Sequence, residues 1–150
     1  MSVRFTAGGI LRLLLPDGQF AYGVMLGVRP YMAFYKDLAV GEELTSFEQD
    51  PLFIIAVHNS AYSKGRWGSI VSRAPKESLP SIPSFFRQDV LNRADCVIVD
   101  ADGKQTVVSP VECVGLERSA VWSAEHIEAR IEDIYAERPN RFVESMRVKQ

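Results

Sequence analysis

Residues 112–135 hold the densest group of chemically reactive side chains in the sequence. The reactive residue types in this stretch are Cys113, Glu117, Arg118, Trp122, Glu125 and His126. The second histidine and the second cysteine lie upstream, at His58 and Cys96. A thiol nucleophile needs a base within hydrogen-bond reach and a third group that orients the base, and these residue types could supply all three. The stretch is therefore either an active site or a structural corner.

The position of His126 argues against a cysteine hydrolase. His126 is the third residue of a predicted helix, and the positive end of a helix disfavours an imidazolium. Cys113 lies in the largely apolar sequence VECVGL, which is typical of a buried and inert thiol. No glycine-rich oxyanion element adjoins Cys113. We therefore interpret Cys113 as structural and predict that the protein is not an enzyme, with a Cys/His hydrolase as a less favoured alternative.

The same residues lack the spacing of a metal site. The two histidines and two cysteines are far apart in sequence, without the short separations that pre-organise zinc ligands. His126 also has no second histidine four residues away, as a zincin helix requires. Phosphate-loop and dinucleotide fingerprints are absent. The sequence predicts no metal and no cofactor, and no spacing singles out a catalytic carboxylate pair.

The acidic residues form two groups that favour a binding surface. On the predicted helix, three glutamates fall at i, i+3 and i+7, on a face largely separate from the isoleucines. A solvated face is the simpler interpretation, but like charges one turn apart cost a helix about 0.2–0.5 kcal/mol. The second group lies in a connection from residue 37 to 50 that contains no Lys or Arg. We predict that both groups face a basic partner; they are Asp37, Glu42, Glu43, Glu48, Asp50, Glu125, Glu128 and Glu132.

Several other polar and aromatic residues are predicted to be structural. Trp122 is expected to lie over the core beside the start of the helix. Glu117 is expected to pair with Arg66, which stands beside Trp67. The full predicted structural motif is Arg66, Trp67, Glu112, Glu117, Arg118 and Trp122.

A basic loop offers an alternative function. Basic and aromatic side chains on one loop can contact the backbone and bases of a nucleic acid. The four positive charges and one tryptophan of this loop are unremarkable over so short a span, so nucleic acid is the less favoured partner. The residues in question are Lys64, Arg66, Trp67, Arg73 and Lys76.

Hydrophobic periodicity predicts the elements that position these residues. Residues 10–24 predict a β-hairpin with a turn at 16–19, and residues 96–109 predict a second hairpin, whose turn contains Asp102 and Gly103. A short strand is predicted at 31–35. The near-continuous apolar run at 52–58 predicts a central strand that is buried on both faces.

The last third of the sequence changes to a helical period. Ser123 is a candidate N-cap, and Ile127, Ile131, Ile134 and Tyr135 form one apolar stripe. The helix is predicted over about residues 124–137, and residues 141–148 predict a terminal strand. The fold class is therefore predicted as α+β and mostly β. We expect an antiparallel curled sheet or a partly open small barrel with one C-terminal amphipathic helix.

Length and composition fit one domain over residues 1–150. The hydrophobic fraction is 47% and the charged fraction 24%, as in ordinary globular proteins. The net charge of −2 gives no global field that would attract nucleic acid. No apolar run is long enough for a signal sequence or a membrane span. Two cysteines make no disulfide framework, so a reducing cytoplasm is the expected setting.

The sequence resembles the immunity protein 26 family of bacterial polymorphic-toxin systems. The resemblance rests on GILRLLLPDGQFAYGVML (9–26), PLFIIAVHNSAYSKGRW (51–67), ECVGLERSAVWSAEHIEARIEDIYAERPN (112–140) and FVES (142–145). One departure is Gly9, where an acidic residue is expected after Gly8. The specificity of the resemblance lies in the combination of segments, because no single motif is chemically diagnostic.

The resemblance implies a cytoplasmic, non-catalytic protector. Such a protein binds a toxin domain, encoded next to it, and blocks that domain sterically. Toxins of these systems are often nucleases, so the predicted acidic surface would meet a basic nucleic-acid-binding face. The oligomeric state and the identity of the toxin stay open at this point.

Overall fold

A computed structural model describes residues 2–39 and 47–150, and in this part of the chain there are ten strands and two helices. The strands are β1 (Gly9–Leu14), β2 (Phe20–Met25), β3 (Tyr31–Tyr35), β4 (Phe53–Val57), β5 (Ser72–Arg73), β6 (Phe85–Gln88), β7 (Cys96–Val99), β8 (Gln105–Val108), β9 (Glu117–Arg118) and β10 (Val121–Trp122). The helices are α1 (Ala124–Tyr135) and α2 (Arg141–Met146). Single 3-10 turns lie at Asn59–Ala61, Lys76–Ser78 and Pro110–Cys113.

The strands form two sheets. The six-stranded sheet has the order β10-β4-β3-β2-β1-β5, and the four-stranded sheet has the order β8-β7-β6-β9. Most neighbours are antiparallel, but β10 runs parallel to β4 and β9 runs parallel to β6. The predicted class, α+β and mostly β, is confirmed. Two open sheets replace the single curled sheet, and no closed barrel forms in the described residues.

Both predicted hairpins are confirmed. In the first, β1 pairs with β2, and the backbone N–H of Leu15 donates to the Gln19 carbonyl at 2.8 Å across the turn. The Asp17 carboxylate accepts from the Gln19 N–H at 3.0 Å. Gly18 has φ +89°, which a glycine adopts without steric cost. In the second, β7 pairs with β8, so local turn chemistry was sufficient to identify both hairpins.

The six-stranded sheet is covered on both faces. Leu11 belongs to the cluster that includes Ile127 and Ile131 of α1. Ile10, the preceding residue of β1, belongs to a second cluster, against which Leu79 packs; Leu79 lies in the proline-rich loop over residues 74–84, between β5 and β6. Because successive strand residues point to opposite faces, α1 covers one face and the loop covers the other.

Strand β4 occupies an interior position, as predicted from its apolar run. It lies between β3 and β10. Phe53, Ile55 and Val57 are buried in the cluster under α1, whereas Ile54 packs against the second cluster. Both faces of this strand are therefore covered by apolar side chains.

The predicted terminal strand over residues 141–148 is wrong, because residues 141–146 form α2. The Asn140 side chain caps this helix by accepting from the Val143 N–H at 2.9 Å. Phe142 packs edge-on against Trp122, with ring centroids 4.8 Å apart. The order of polar and apolar residues in this segment predicted a strand. The same order also fits a short capped helix that packs Phe142 and Val143 against the core.

Gly9 lies where added side-chain atoms would crowd the fold. A Cβ at this position would stand 3.0 Å from Ile70 Cδ1 and 3.0 Å from the Thr6 carbonyl oxygen. We expect Gly9→Asp, which restores an acidic residue here, to lower the free energy of unfolding by about 1–3 kcal/mol through overpacking. Gly27→Asp is the matched control, because a Cβ at Gly27 meets nothing within 4 Å. Equal urea midpoints for the two variants would contradict this account.

Candidate functional site

The candidate site is built around α1, whose start follows the predicted cap. The Ser123 side chain accepts from the His126 N–H at 3.5 Å, and Glu125 lies in the first turn. Ile127 and Ile131 are fully buried, so this face of α1 is fixed against the sheet. The polar residues on the remaining positions of α1 are thereby held in defined directions.

The buried side chain of Glu128 forms the centre of an ion-pair cluster, which we call the Glu128 cluster: Arg66, Trp67, Glu125 and Glu128. Arg66 donates from Nε to Glu128 Oε2 at 2.9 Å and from Nη2 to Glu128 Oε1 at 2.8 Å. Trp67 donates its indole N–H to Glu128 Oε2 at 2.9 Å. Arg66 also reaches Glu125 at 3.2 Å. The carboxylate of Glu128 thus accepts three hydrogen bonds and ties the loop after β4 to α1.

Hydrogen bonding determines the protonation of Glu128. Burial by itself raises the pKa of this carboxyl, but the hydrogen bonds from Arg66 and Trp67 and the Arg66 charge outweigh burial, so the pKa is lowered. The hydrogen bonds to Glu128, followed by the charges of Glu128 and Glu125, raise the pKa of Arg66 despite its partial burial. The Glu128–Arg66 pair is therefore ionised over the neutral pH range.

This placement corrects two expectations from the sequence. Glu128 was assigned to an outer acidic face, but it is 4% exposed and its oxygens are occupied, so it is not presented to a partner. Arg66 was expected to pair with Glu117, but it pairs with Glu128 and Glu125. The sequence did hold a signal, because position 128 falls within the apolar stripe of Ala124, Ile127 and Ile131 at helical spacing.

Glu117 instead pairs with Arg130 of α1. Arg130 Nη1 and Nη2 donate to the two oxygens of Glu117 at 3.0 and 2.6 Å, in a bidentate arrangement. The guanidinium carbon of Arg130 lies 3.9 Å from the centroid of the Phe53 ring and 5.0 Å from that of Trp122. The Arg130 side chain is only 9% exposed, so this pair links β9 to α1 from within the structure.

Trp122 and the other residues of the predicted structural motif have defined contacts. Trp122 is 2% exposed and packs in the core beside the start of α1, as the sequence indicated. Arg118 donates from Nε to the Met146 carbonyl at 2.9 Å and lies over the Phe86 ring. Glu112 is exposed and accepts from the Ser109 N–H at 2.8 Å in a capping box.

The remaining acidic residues differ in exposure. Asp37, Glu48, Asp50 and Glu125 are exposed, whereas Glu132 is half-buried. Glu42 and Glu43, which belong to the same predicted group, lie outside the described residues. The exposed carboxylates and Glu132 are therefore the members of the predicted acidic set that a partner could reach.

Two carboxylates, those of Asp37 and Asp17, act on Tyr135 at the end of α1. Glu132 accepts from the Asp17 backbone N–H at 3.1 Å, and the Tyr135 hydroxyl donates to the Phe20 carbonyl at 2.7 Å. Burial, followed by the charges of Asp37 and Asp17, raises the pKa of Tyr135 to about 12. The structure thus brings the acidic connection near Asp37 to the acidic helix near Glu132, although Lys36 and Arg138 lie close by and reduce the local negative potential.

The cysteines and histidines do not assemble into a reactive group. Cys113 and Cys96 are fully buried beside Phe86, and burial followed by the proximity of Cys96 raises the pKa of the Cys113 thiol. His126 is exposed, and its ring stacks on Phe142 with a centroid distance of 4.0 Å. A buried thiol with a raised pKa is a poor nucleophile. Among the residues described, no group of three or more potential ligands could hold a metal ion.

The basic loop does not offer the contact expected for nucleic acid. Trp67 is 3% exposed and its indole N–H is bonded to Glu128, so its ring is not free to stack on a base. The Arg66 guanidinium is taken up by two carboxylates. The less favoured alternative, in which Trp67 contacts a nucleic acid, is therefore not supported, whereas its structural assignment agrees with these contacts. Lys64, Arg73 and Lys76 are left without the aromatic partner on which that alternative depended.

No helix in the described part of the chain is both long and apolar enough to cross a membrane.

The described fold and site can be set beside known protein families. The family model of immunity protein 26 matches residues 6–97, which is more than half of the chain. Curated proteins and solved structures contain no match to the chain. The match covers β1 to β6 and the Arg66–Trp67 pair but ends before α1. The chain belongs to the immunity protein 26 family.

Proposed function

We propose that this protein neutralises a toxin domain by binding it and blocking it sterically, without a catalytic step of its own. The observation that carries the proposal is the family match over residues 6–97, since immunity proteins act against toxins. The proposed partner is a toxin domain that is encoded next to this protein, and the proposed site of action is the cytoplasm. The buried Cys113 and the exposed, stacked His126 add support for a role without chemistry.

The exposed carboxylates support a basic partner. Asp37, Glu48, Asp50 and Glu125 are solvent-exposed, and no described Lys or Arg forms an ion pair with the first three. Charges that are not compensated within a protein can steer an oppositely charged partner and raise the association rate. A toxin that binds nucleic acid carries a basic face and would complement this surface. A nuclease is therefore the class of toxin that the charges favour.

Co-expression tests the proposed function directly. Cells that produce the neighbouring toxin domain should survive when they also produce this protein, and the two proteins should form a one-to-one complex. Protection should persist in Cys113→Ala and His126→Ala variants that fold, because no thiol or imidazole chemistry is required. Full toxicity in the presence of soluble, folded wild-type protein would sink the proposal.

Charge reversal on the acidic connection should slow association. In the variant Asp37→Lys/Glu48→Lys/Asp50→Lys, we expect the association rate constant with the toxin domain to fall about tenfold or more at low salt. The difference from wild type should shrink as salt is added, because screening suppresses long-range steering. Stopped-flow measurements at several salt concentrations give both quantities.

The matched control uses exposed acidic residues elsewhere on the surface. Asp95 immediately precedes β7, Asp102 lies in the turn between β7 and β8, and Glu77 lies in the loop between β5 and β6. Reversal of these three charges alters the net charge by the same amount as the test variant. If both variants slow association equally, the effect depends on net charge and the acidic connection has no special role.

A further inference from the structure

An open cleft lies between β9 and the C-terminal segment, apart from the acidic surface. Its volume is about 490 Å³, which is within the range of about 300–1,000 Å³ seen for binding sites. One wall is formed by residues 113–118, and the other by residues from Val143 to Gln150. Trp122 and Arg130 also line it. Part of the cleft lining is apolar and consists of half-buried side chains, namely Leu116, Val143, Met146 and Val148.

The charges that line the cleft are unbalanced. Arg130 is matched by the bidentate pair with Glu117, and Arg147 pairs with Glu144 at 3.1 Å. Arg118 has no carboxylate within 4.0 Å among the residues the structure describes; its bonds go to the carbonyls of Met146 and Arg147. The cleft therefore holds one half-buried guanidinium whose positive charge is not compensated.

Arg118 retains hydrogen-bond donors for a ligand. A guanidinium has five N–H groups, and the two carbonyl bonds come from Nε and Nη2. Nη1 has no hydrogen-bond partner among the described residues. An arginine held by two backbone carbonyls and stacked on the Phe86 ring is pre-oriented, and its free edge suits a carboxylate. Trp122 lines the same cleft, and its buried indole N–H has no acceptor in the described part of the chain.

We propose that this cleft is a docking site for a segment of the toxin that carries a carboxylate beside an apolar side chain. The carboxylate binds Arg118, and the apolar side chain packs against Leu116, Val143 and Met146. This inference rests on the proposed function, because it assigns a second contact to the same partner. The proposed contact is separate from the acidic surface, because the cleft would bind a negatively charged group of the toxin, whereas the acidic surface would bind positively charged groups.

The form of the cleft favours a protein segment over a small free acid. Small-molecule sites bury about 70–90% of their ligand. Here one rim consists of the exposed residues Val114 and Gly115, and the other carries Arg147, whose side chain is 68% exposed. A groove with two such open rims admits a chain that enters and leaves. A half-buried cation with apolar neighbours is also the type of pocket in which interface anchors bind.

Two exposed valines provide a matched test. Val114 lies on the rim of the cleft, and Val111, three residues earlier, lies outside it; they are 63% and 68% exposed. We expect Val114→Glu to raise the Kd for the neighbouring toxin domain at least tenfold, because it places a negative charge beside the docked carboxylate. Val111→Glu should change the Kd less than twofold. Calorimetry with purified toxin domain measures both values, and thermal unfolding checks that both variants fold.

The sign of the Val114→Glu effect separates the cleft from general charge attraction. If the cleft plays no part and the toxin is basic, an added glutamate leaves binding unchanged or strengthens it. An unchanged or lower Kd for folded Val114→Glu, or equal weakening by Val111→Glu, would overturn the proposal. If wild-type protein does not bind or protect, the proposed function fails instead, so the two failures are distinct.

A second variant addresses the cation itself. Arg118→Gln removes the charge and should also raise the Kd at least tenfold, mainly through faster dissociation. In a double-mutant cycle, replacement of one toxin Asp or Glu by Ala should weaken wild-type binding but have little further effect on Arg118→Gln. If no toxin carboxylate couples to Arg118, the proposal is wrong. Because Arg118 also holds the C-terminal segment, the result counts only for protein with wild-type thermal stability.

Discussion

Replacement of Glu128 by Ala is expected to lower the free energy of unfolding by about 2–3 kcal/mol. The substitution removes the acceptor of three hydrogen bonds and leaves the buried Trp67 indole N–H without a partner. The Arg66 side chain is 42% exposed, so water recovers part of its solvation and the loss stays below that of a fully buried pair. Urea unfolding followed by tryptophan fluorescence gives the difference.

Glu125→Ala is the matched control for this prediction. Glu125 pairs with the same guanidinium at 3.2 Å, but its side chain is 69% exposed. Exposed ion pairs contribute about 0–1 kcal/mol, so we expect Glu125→Ala to change stability by less than 1 kcal/mol. If the two variants lose the same stability, the burial of Glu128 is not what makes the cluster strong.

The contribution of Glu128 to folding stability should decrease as the pH falls. Its pKa in the folded protein is lowered from the ordinary value of 4.5. A lowered folded-state pKa stabilises the protein above the unfolded-state pKa, and this stability is lost as the pH falls through the folded-state pKa. The gap in unfolding free energy between wild type and Glu128→Gln should therefore be constant near neutral pH and narrow below pH 4.5. A gap that widens in acid would contradict the assigned protonation.

The Glu117–Arg130 pair is expected to be asymmetric, and this is the second large effect. Glu117→Ala leaves the guanidinium of Arg130 without its carboxylate in a position where the side chain is only 9% exposed. We expect a loss of about 3 kcal/mol, because an uncompensated buried charge is costly. Arg130→Met leaves Glu117, which is 31% exposed and can be hydrated, and it preserves contact with Phe53 and Trp122. We expect that variant to lose only about 1 kcal/mol.

The test is whether Glu117→Ala loses more unfolding free energy than Arg130→Met. Unfolding in guanidinium chloride gives the free energy of unfolding of both single variants and of the double variant Glu117→Ala/Arg130→Met, which completes the double-mutant cycle. The double variant should be more stable than Glu117→Ala alone, because removal of the arginine also removes the unpaired charge. A double variant that is less stable than Glu117→Ala would show that Arg130 is adequately solvated without its partner.

Local sequence patterns were sufficient for much of the fold. The β1–β2 turn has Asp17 and Gly18 where the chain needs a side-chain acceptor and a positive φ. The Ser123 cap and the isoleucine stripe located α1 to within two residues at its end. These features are recognisable because the interactions that stabilise them join residues close in sequence.

The short strands and α2 depended on contacts between distant residues. β9 and β10 have two residues each, and each pairs in parallel with a strand more than 30 residues earlier. No periodicity can appear in two residues, so residues 117–122 carried no readable strand signal. In α2, packing of Phe142 onto Trp122 and the Asn140 cap selected a helix where alternation alone predicted a strand.

The acidic helix face illustrates the same division. Glu125, Glu128 and Glu132 look equivalent in the sequence, at spacings that suggest one charged face. In the structure, Glu125 is exposed, Glu128 is buried under Arg66 and Trp67, and Glu132 binds the backbone of the first hairpin turn. The partner of each carboxylate lies at least 59 positions away in sequence, so its role could not be assigned from helix spacing.

Sequence patterns were enough to predict the hairpins, the start of α1, the mostly β class and the family resemblance. The hairpins, the helix start and the class depend on turn residues, caps or apolar period within a short window, whereas the resemblance depends on several segments in combination. Which charges are neutralised inside the protein, and which stay free, became clear from the three-dimensional contacts. Ion pairing depends on distances between elements that are far apart in the chain, and it is this pairing that buries Glu128 and leaves Arg118 without a carboxylate in the cleft.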